Sequence, residues 1–422
     1  MNSGNNFHEG GSRRILPLLG FNSIYLGVNY LWISFETLIL PLEVENSVPL
    51  SLSGLYLGVA AFIGGLSAIS GNLSSGMVGD RLKMRGANRS VMVIFGAFMS
   101  LIGIFLSIPF FNVYLGIVLS FAILQFFSNV AIGSTQPLLT ETVVSDMRGT
   151  SSGVNGVFTL IGSAIGFGLS SYFLVVFPFY ISVLMLGIAI SITGTISFLS
   201  GRERKTIEIE HFEKKNRKHQ ITENNRNLKI LTIGSFFVFM GIMGLTYFEF
   251  YFFETMLGVS DPELLIGTAG ILILMVSAIA SVLVGRLSDR VDRVKILAIG
   301  AAASSVPTFL IPYFRSFPIF LVLGGFIGAT YGSYYSVSIA LAGDLANERM
   351  AGTHLSMFNL SLTGASTASP LIYGMILYLF RNIPDLSFHF LFTVSSSFYI
   401  TGSVILFLFY GKRKKNSSGT SS

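Results

Sequence analysis

Three acidic side chains lie inside long apolar segments of the sequence. Glu36 belongs to a segment centred near residue 28, and Glu249 and Glu254 belong to one centred near residue 243. At a helical rise of about 1.5 Å per residue, Glu249 lies about 9 Å from its segment's centre, Glu36 about 12 Å and Glu254 about 16 Å. A poorly solvated carboxyl group disfavours its ionised form and can take up a proton near neutral pH. Glu249 is therefore the first candidate for proton coupling and Glu36 the second. An acid that reaches the outer water is an equally good interpretation of Glu36 and a better one of Glu254.

Uncharged polar side chains form stripes in the same kind of segment. Residues three and four positions apart share one face of a helix, and the first segment carries Asn22, Tyr25, Asn29, Trp32 and Glu36 at this spacing. Polar groups at membrane depth usually face the interior of a helix bundle. We therefore expect a solute-binding cavity, with helix–helix hydrogen bonding as the alternative. Further candidates for this cavity in later segments are Gln125, Asn129, Tyr247 and Tyr251. Weaker candidates, for which packing is an equally good explanation, are Tyr331, Tyr334, Tyr335, Asn359 and Thr363.

The elements that must position these residues are membrane-spanning helices. Of the 422 residues 51% are hydrophobic and only 11% charged, and residues 91–139 and 151–200 contain no ionisable Asp, Glu, Lys, Arg or His. A spanning helix needs about 20 apolar residues, so we predict an all-α polytopic membrane protein. The twelve predicted spans are 15–41, 51–77, 91–110, 113–138, 151–174, 178–199, 230–257, 264–285, 295–314, 317–342, 353–380 and 387–410.

The basic residues predict the orientation of these spans. All Lys and Arg residues except Arg315 and Arg381 lie in the two terminal segments or in loops that follow even-numbered spans. Because cytoplasmic loops are enriched in Lys and Arg, both termini are expected in the cytoplasm of a multi-pass protein of the plasma or inner membrane. The pI near 9.4 then reflects topology, and we expect a lipid bilayer and a small solute as partners, with no nucleic acid.

The sequence also contains an internal repeat of six spans. Gly76–Arg81 (GMVGDR) after span 2 returns as Gly285–Arg290 (GRLSDR) after span 8, and Phe35–Leu38 (FETL) returns as Phe253–Met256 (FETM). We predict cytoplasmic tails at 1–14 and 411–422, six-helix bundles at 15–200 and 230–410, and a cytoplasmic linker at 201–229. Two parallel repeats imply a pseudo-two-fold axis along the membrane normal, with a solute site between the halves.

These two copies resemble a known signature. The sequence GMVGDRLKMRGANR between helices 2 and 3, with its weaker copy GRLSDRVDRVK between helices 8 and 9, is similar to the Gly-x-x-x-Asp-Arg-x-x-x-Arg signature of the major facilitator superfamily. The resemblance covers essentially the whole chain and implies a transporter with two six-helix bundles. The Asp-Arg-x-Lys-x-Arg spacing and the WISFETLILP stretch look like the sucrose-transporter and glycoside–cation symporter branches of that family.

The resemblance implies that the signature charges form a cytoplasmic gate. Pseudo-symmetry suggests that Asp80 meets a helix start near Gly352 and that Asp289 meets one near Gly149, where a helix dipole favours negative charge. By charge complementarity, Arg85 or Arg89 would reach Glu141, and Arg293 would reach Asp344. The alternative is that these charges only set topology. The remaining gate candidates are Gly76, Arg81, Arg148, Gly285, Arg290 and Arg349.

Several other classes of function are disfavoured by missing motifs. The chain has no cysteine, no GxxxxGK[ST] phosphate-binding loop and only five scattered histidines, so we expect no metal, no cofactor, no ATP-driven step and no enzymatic activity. No Lys or Arg lies in the middle of a span, which disfavours anionic solutes. We predict a secondary active transporter, working as a monomer, that moves a small neutral polar solute by proton or cation symport. The alternatives are a proton-coupled exporter of hydrophobic or cationic drugs, and a non-transporting receptor or scaffold.

Overall fold

The computed structural model describes residues 9–142, 148–202, 218–259, 261–346 and 351–419. Within these ranges the secondary structure is helical, and no strand occurs. The helices are α1 (Glu9–Ser34), a π-helix (Phe35–Ile39), α2 (Leu40–Ser47), α3 (Leu50–Met84), α4 (Ser90–Leu106), α5 (Tyr114–Thr142), α6 (Arg148–Ile165), a second π-helix (Gly166–Ser170), α7 (Ser171–Val176), α8 (Phe179–Arg202), α9 (Lys218–Met243), α10 (Leu245–Leu257), α11 (Pro262–Leu287), α12 (Arg293–Leu310), a 3₁₀-helix (Ile311–Tyr313), α13 (Phe317–Leu345), α14 (Ala351–Leu379) and α15 (Pro384–Gly419).

The apolar helices agree with the predicted spans. Eleven helices of the described chain are long and apolar enough to cross a membrane, and the shorter apolar helix Ser90–Leu106 coincides with the predicted third span. The first span is longer than predicted, because it runs over Pro17–Ser47 rather than ending near residue 41. The protein is an all-α, multi-pass membrane protein.

A π-helical turn explains why the first span continues past Pro41. Proline has no N–H group and normally breaks a helix. The preceding π-helix widens the chain at this point, and Leu40 N–H donates to the carbonyl oxygen of Phe35, five residues earlier. The wider turn lets α2 continue beyond the proline, which carries Glu43 into the span. The extended span thus contains two acids that we did not predict, the buried Glu43 and the partly exposed Glu45.

The chain folds into two compact units. One comprises residues 1–47 and 63–212, and the other comprises residues 48–62 and 213–422. In the first unit α1 packs on α6 and α8, and α4 packs on α5 and α8. In the second unit α9 packs on α14 and α15, and α12 packs on α13 and α15. The same neighbours recur at equivalent places, which agrees with the repeat in the sequence.

The start of α3 is counted with the second unit because it packs closely against α14. A Cβ atom added at Gly58 would lie only 2.4 Å from the carbonyl oxygen of Pro370, and one added at Gly374 would lie 2.5 Å from that of Gly54. Small residues allow helix backbones to approach closely in a membrane. Glycine is therefore required at this crossing.

Candidate functional site

The polar stripe of the first span contacts two helices in alternation. Tyr25 hydroxyl is 2.7 Å from Thr135 Oγ1 on α5, and Trp32 Nε1 donates to Ser128 Oγ on the same helix at 3.0 Å. Asn22 Nδ2 donates to Ser151 Oγ on α6 at 2.8 Å. Asn29 Nδ2 donates to Thr159 Oγ1 on α6 at 3.5 Å and to its own helix, at the carbonyl of Tyr25, at 2.7 Å. The stripe therefore faces the crease between α5 and α6.

The outer end of this stripe joins a continuous chain of amides. Gln125 Nε2 donates to Glu36 Oε1 at 2.7 Å. Asn129 Nδ2 donates to the side-chain oxygen of Gln125 at 3.2 Å and to its backbone oxygen at 2.8 Å. Asn72 Nδ2 on α3 in turn donates to Asn129 Oδ1 at 2.9 Å. We call Glu36, Gln125, Asn129 and Asn72 the amide chain; it links three helices of the first unit.

Exposure separates packing residues from residues that a solute can reach. Asn22 is fully buried, and Gln125 and Asn129 are also buried, whereas Asn29, Trp32 and Glu36 are half-buried. The contacts of Asn22 are those of a helix–helix hydrogen bond. The half-buried members offer an indole ring, an amide and a carboxyl group to a ligand, with the buried amides holding them in place.

Two features of this unit could not be read from the sequence. Asn72 is the one amide side chain of the long α3 helix, it does not belong to a polar stripe, and only its contact with Asn129 identifies it. The π-helix at Phe35–Ile39 contains Glu36, and such turns frequently occur at functional sites. A second π-helix lies against the first span, where Ser34 Oγ and Ser170 Oγ are 2.6 Å apart.

In the second unit, the seventh span runs over Arg226–Leu257, and its helical hydrogen-bond pattern has a one-residue interruption at Gly244, between α9 and α10, where the backbone keeps right-handed helical dihedral angles. A Cβ atom added at Gly244 would lie 2.5 Å from the Tyr373 ring. Tyr373 hydroxyl donates to the carbonyl of Met240 at 2.8 Å, and Ser395 Oγ donates to that of Gly241 at 2.6 Å. Side chains from α14 and α15 therefore satisfy backbone groups near the interruption.

The two acids beyond this interruption differ in their surroundings. Glu249 lies between the buried residues Phe248 and Phe250, and no hydrogen bond or ion pair to it is found within the described ranges. One carboxyl oxygen of Glu254 is buried without a hydrogen-bond partner among the described residues. Glu254 is thus more enclosed than we expected for a residue at the membrane interface. The nearby Tyr247 and Tyr251 are both buried.

The tyrosines predicted on span 10 lie on α13 but have different environments. Tyr334 is buried, and its hydroxyl is 3.0 Å from Ser235 Oγ on α9. Tyr331 lines a small crevice with Thr330, Ser304 and Tyr399. Tyr335 is exposed and its ring centroid is 6.1 Å from that of Tyr331.

On α14, Asn359 is exposed, and Thr363 Oγ1 donates to its backbone carbonyl at 3.1 Å. No polar contact joins either of these two side chains to α13 within the described part of the chain. The crevice beside Tyr331 therefore does not include them.

The signature residues form ion pairs within each unit. Arg89 Nη2 lies 2.5 Å from Asp80 Oδ1, and the Arg89 side chain is only 3% exposed. Arg293 Nη1 lies 2.5 Å from Asp344 Oδ2, and Nη2 of the same arginine lies 3.2 Å from Asp289. The Arg293–Asp344 pair is the contact that charge complementarity suggested; its role as a latch stays a prediction.

Several gate candidates lack a described contact. Arg81, Arg85 and Arg290 are exposed. A Cβ atom added at Gly76 would have no neighbour within 4 Å, so no close helix contact requires glycine there. A Cβ atom added at Gly285 would lie 3.2 Å from Ser336 Oγ. The side chains of Glu141 and Arg148, the surroundings of Gly149 and Gly352, and the whole of Arg349 lie outside what the structure describes. The expected contacts of Asp80, Asp289, Arg85 and Arg89 with these positions therefore stay predictions.

The Arg89–Asp80 pair leads to a prediction about transport. Asp80→Asn removes the carboxylate that faces a buried guanidinium, and burying a charge without its partner is costly. We expect normal membrane abundance but at least a roughly tenfold loss of transport activity, measured in proteoliposomes. Asp292→Asn is the matched control, because asparagine can still cap α12 as Asp292 does through Val294 N–H. Full transport activity of Asp80→Asn would show that Asp80 is not needed for transport and contributes only to membrane topology.

Comparison with known proteins establishes the family. The sequence profile of the Major Facilitator Superfamily matches residues 18–277 and 231–422. The chain belongs to the Major Facilitator Superfamily. A search of curated proteins finds no match.

Solved structures of other Major Facilitator Superfamily transporters share this fold. A bacterial homologue of the human lysosomal transporter Spinster, inward-facing and unoccupied, has a TM-score of 0.74 and 13% identity over 94% of this chain and 96% of that chain. A variant of the nucleoside transporter NupG has a TM-score of 0.66 and 14% identity over 94% and 99%. A D-xylose–proton symporter has a TM-score of 0.66 and 15% identity over 91% and 96%. At these identities the likeness concerns the fold.

Proposed function

We propose that this member of the Major Facilitator Superfamily is a secondary active transporter that moves a small neutral solute rich in hydroxyl groups, by symport with protons. The amide chain carries this proposal. Its amide and carboxyl groups can both donate and accept hydrogen bonds, and the half-buried Trp32 beside them offers an apolar ring face. This pairing of aromatic surface with amides suits a sugar or glycoside.

Charge supports the same class of solute. No Lys or Arg lies in the middle of any span, and an anion would need a buried cation to offset its desolvation. Among the neighbours in fold, one is named for D-xylose and protons and another for nucleosides; both solutes are neutral and carry several hydroxyl groups. The resemblance of the first signature copy to the glycoside–cation symporter branches points the same way.

Aromatic side chains favour a second candidate function, the export of hydrophobic or cationic compounds. The chain contains 39 Phe and 16 Tyr residues, and cations bind well to aromatic faces. A non-transporting receptor or scaffold is disfavoured because both signature copies carry ion pairs, which a static protein does not need.

Uptake into proteoliposomes tests the proposal. Purified protein is reconstituted and given radiolabelled pentoses, hexoses, glycosides and nucleosides, together with hydrophobic cations, with and without a pH gradient. We expect accumulation of at least one hydroxyl-rich neutral solute that collapses when a protonophore is added. Transport of cationic compounds alone would favour the exporter, and no transport of any compound would contradict both.

Orientation is tested separately by labelling single cysteines, which the cysteine-free chain makes simple. Lys and Arg are enriched on cytoplasmic segments, so cysteines at positions 210 and 415 should react only after the membrane is permeabilised. Cysteines at positions 46 and 384, at the end of α2 and the start of α15, should react in intact cells. Reaction of position 210 or 415 from outside would reverse the proposed topology.

A further inference from the structure

Glu43 is the most thoroughly buried acid among the described side chains of the first unit. It lies on α2 with no exposed surface, and neither of its carboxyl oxygens has a hydrogen-bond partner among the described residues. Burying an ionised carboxylate without a partner costs far more than burying a neutral carboxylic acid. In this arrangement the group must therefore carry a proton.

The elements packed against α2 supply no cation to balance a charge on Glu43. These elements are mainly the π-helix and α5, whose ionisable groups with described side chains at this end are Glu36 and Tyr114. The Ser107 hydroxyl interacts with the carboxyl group of Glu43, but its own hydrogen atom is donated to the carbonyl of Ile104 at 2.8 Å. Glu45, on α2 itself, is partly exposed. All the neighbouring groups are thus neutral or acidic, which favours the protonated form.

The burial of Glu43 depends on the packing of the short helix α2 against α5. The helix α2 has only eight residues and follows the π-helix, and Asn46, three residues after Glu43, is already exposed. A small movement of α2 away from α5 would therefore bring water to the carboxyl group. Hydration would stabilise the ionised form, and the proton would leave to that water.

We propose that Glu43 is a proton-binding site, occupied while α2 packs against α5 and emptied when α2 moves away. By the distribution of basic residues, this end of the unit faces the outside. Packing of α2 would then take up one proton from the external medium, and its release would accompany opening. The role in transport rests on the proton symport proposed above, whereas proton binding by Glu43 does not.

Thermal stability as a function of pH tests proton binding without any transport assay. Ionisation of Glu43 opposes its burial, so the wild-type melting temperature in detergent should fall between about pH 6 and pH 8 by about 3 °C more than that of Glu43→Gln. Glutamine has the shape of the protonated acid and should preserve folding. Glu45→Gln, on the same helix but partly exposed, should retain the wild-type pH dependence. Parallel curves for the wild type and Glu43→Gln would overturn the proposal.

Infrared spectroscopy provides a second readout at a single pH. At about pH 7.5 the wild type should show a carbonyl stretching band of a protonated carboxyl group, and Glu43→Gln should lose part of it. If glutamine impairs folding, Glu43→Met supplies the same comparison with an apolar side chain of similar length. An unchanged band in the folded variant would show that Glu43 is ionised and contradict the proposal.

In proteoliposomes, uptake by Glu43→Gln should depend less on external pH than uptake by the wild type. If no solute is transported at all while the melting and infrared results hold, the proposed function fails and the proton site stands. If transport is found but the pH dependence of melting and the infrared band are the same in the wild type and in Glu43→Gln, the proton site is contradicted and the proposed function stands.

Discussion

Replacing Gln125 by leucine should lower the rate of solute uptake by at least about tenfold at low solute concentration. The side-chain amide of Gln125 is the link between Glu36 and Asn129, so leucine removes one side-chain hydrogen bond from each of these two polar groups. Each lost buried hydrogen bond costs about 1–3 kcal/mol, and about 1.4 kcal/mol is a factor of ten. Uptake kinetics in proteoliposomes, with protein abundance measured in parallel, would show the loss mainly as a raised KM.

Asn22→Ala is the control for this variant. Asn22 is fully buried and bonds Ser151 on a neighbouring helix, so its loss should lower the melting temperature with little change in KM. The two variants thus separate a binding role from a packing role. Wild-type KM in Gln125→Leu would contradict the assignment of the amide chain to solute binding.

Replacing Glu249 by glutamine should abolish accumulation driven by a pH gradient. Glutamine mimics a permanently protonated carboxyl group, so the loaded carrier could still change conformation but could not release a proton. Solute binding and exchange without a gradient should therefore survive. The measurement compares uphill uptake with counterflow of the same solute in the same proteoliposomes.

Glu254→Gln is the matched control, because it makes the same change five residues later and nearer the end of α10. It should reduce uphill uptake much less. If Glu249→Gln still accumulates solute against a gradient, Glu249 is not the coupling group, and Glu36 becomes the next candidate. A carrier with no uphill uptake in the wild type would be a facilitator.

Part of the site was predictable because helical spacing is a local property. The spacing of Asn22, Tyr25, Asn29, Trp32 and Glu36 indicated one helix face, and all five side chains do contact α5 or α6. Whether each residue binds solute or only packs was not predictable, since that depends on exposure. The structure favours packing for Asn22.

Other parts depend on residues far apart in the chain. Asn72 and Asn129 are 57 positions apart, and Gln125 and Glu36 are 89 apart, so no local pattern could pair them. Arg85 or Arg89 was expected to reach Glu141, whose side chain lies outside the described residues, and the described partner of Arg89 is Asp80, nine positions away. Charge complementarity restricts the partners of an arginine but does not choose among several acids nearby.

Composition and segment comparison were enough to predict the class of protein, the number and approximate positions of the spans, and the two-fold repeat. Each of these three properties follows from composition summed over about 20 residues or from direct comparison of segments. Neither kind of argument requires knowledge of contacts between distant residues.

Packing between distant segments determines where the helices deviate from regularity and which polar groups meet. The π-helix before Pro41, the interruption at Gly244 and the burial of Glu43 depend on how neighbouring helices pack. In a membrane most apolar residues are equally well accommodated facing lipid or facing another helix, so hydropathy does not select one arrangement of the helices. Hydrogen bonds and close packing, which act between distant segments, therefore select the one arrangement that forms the site.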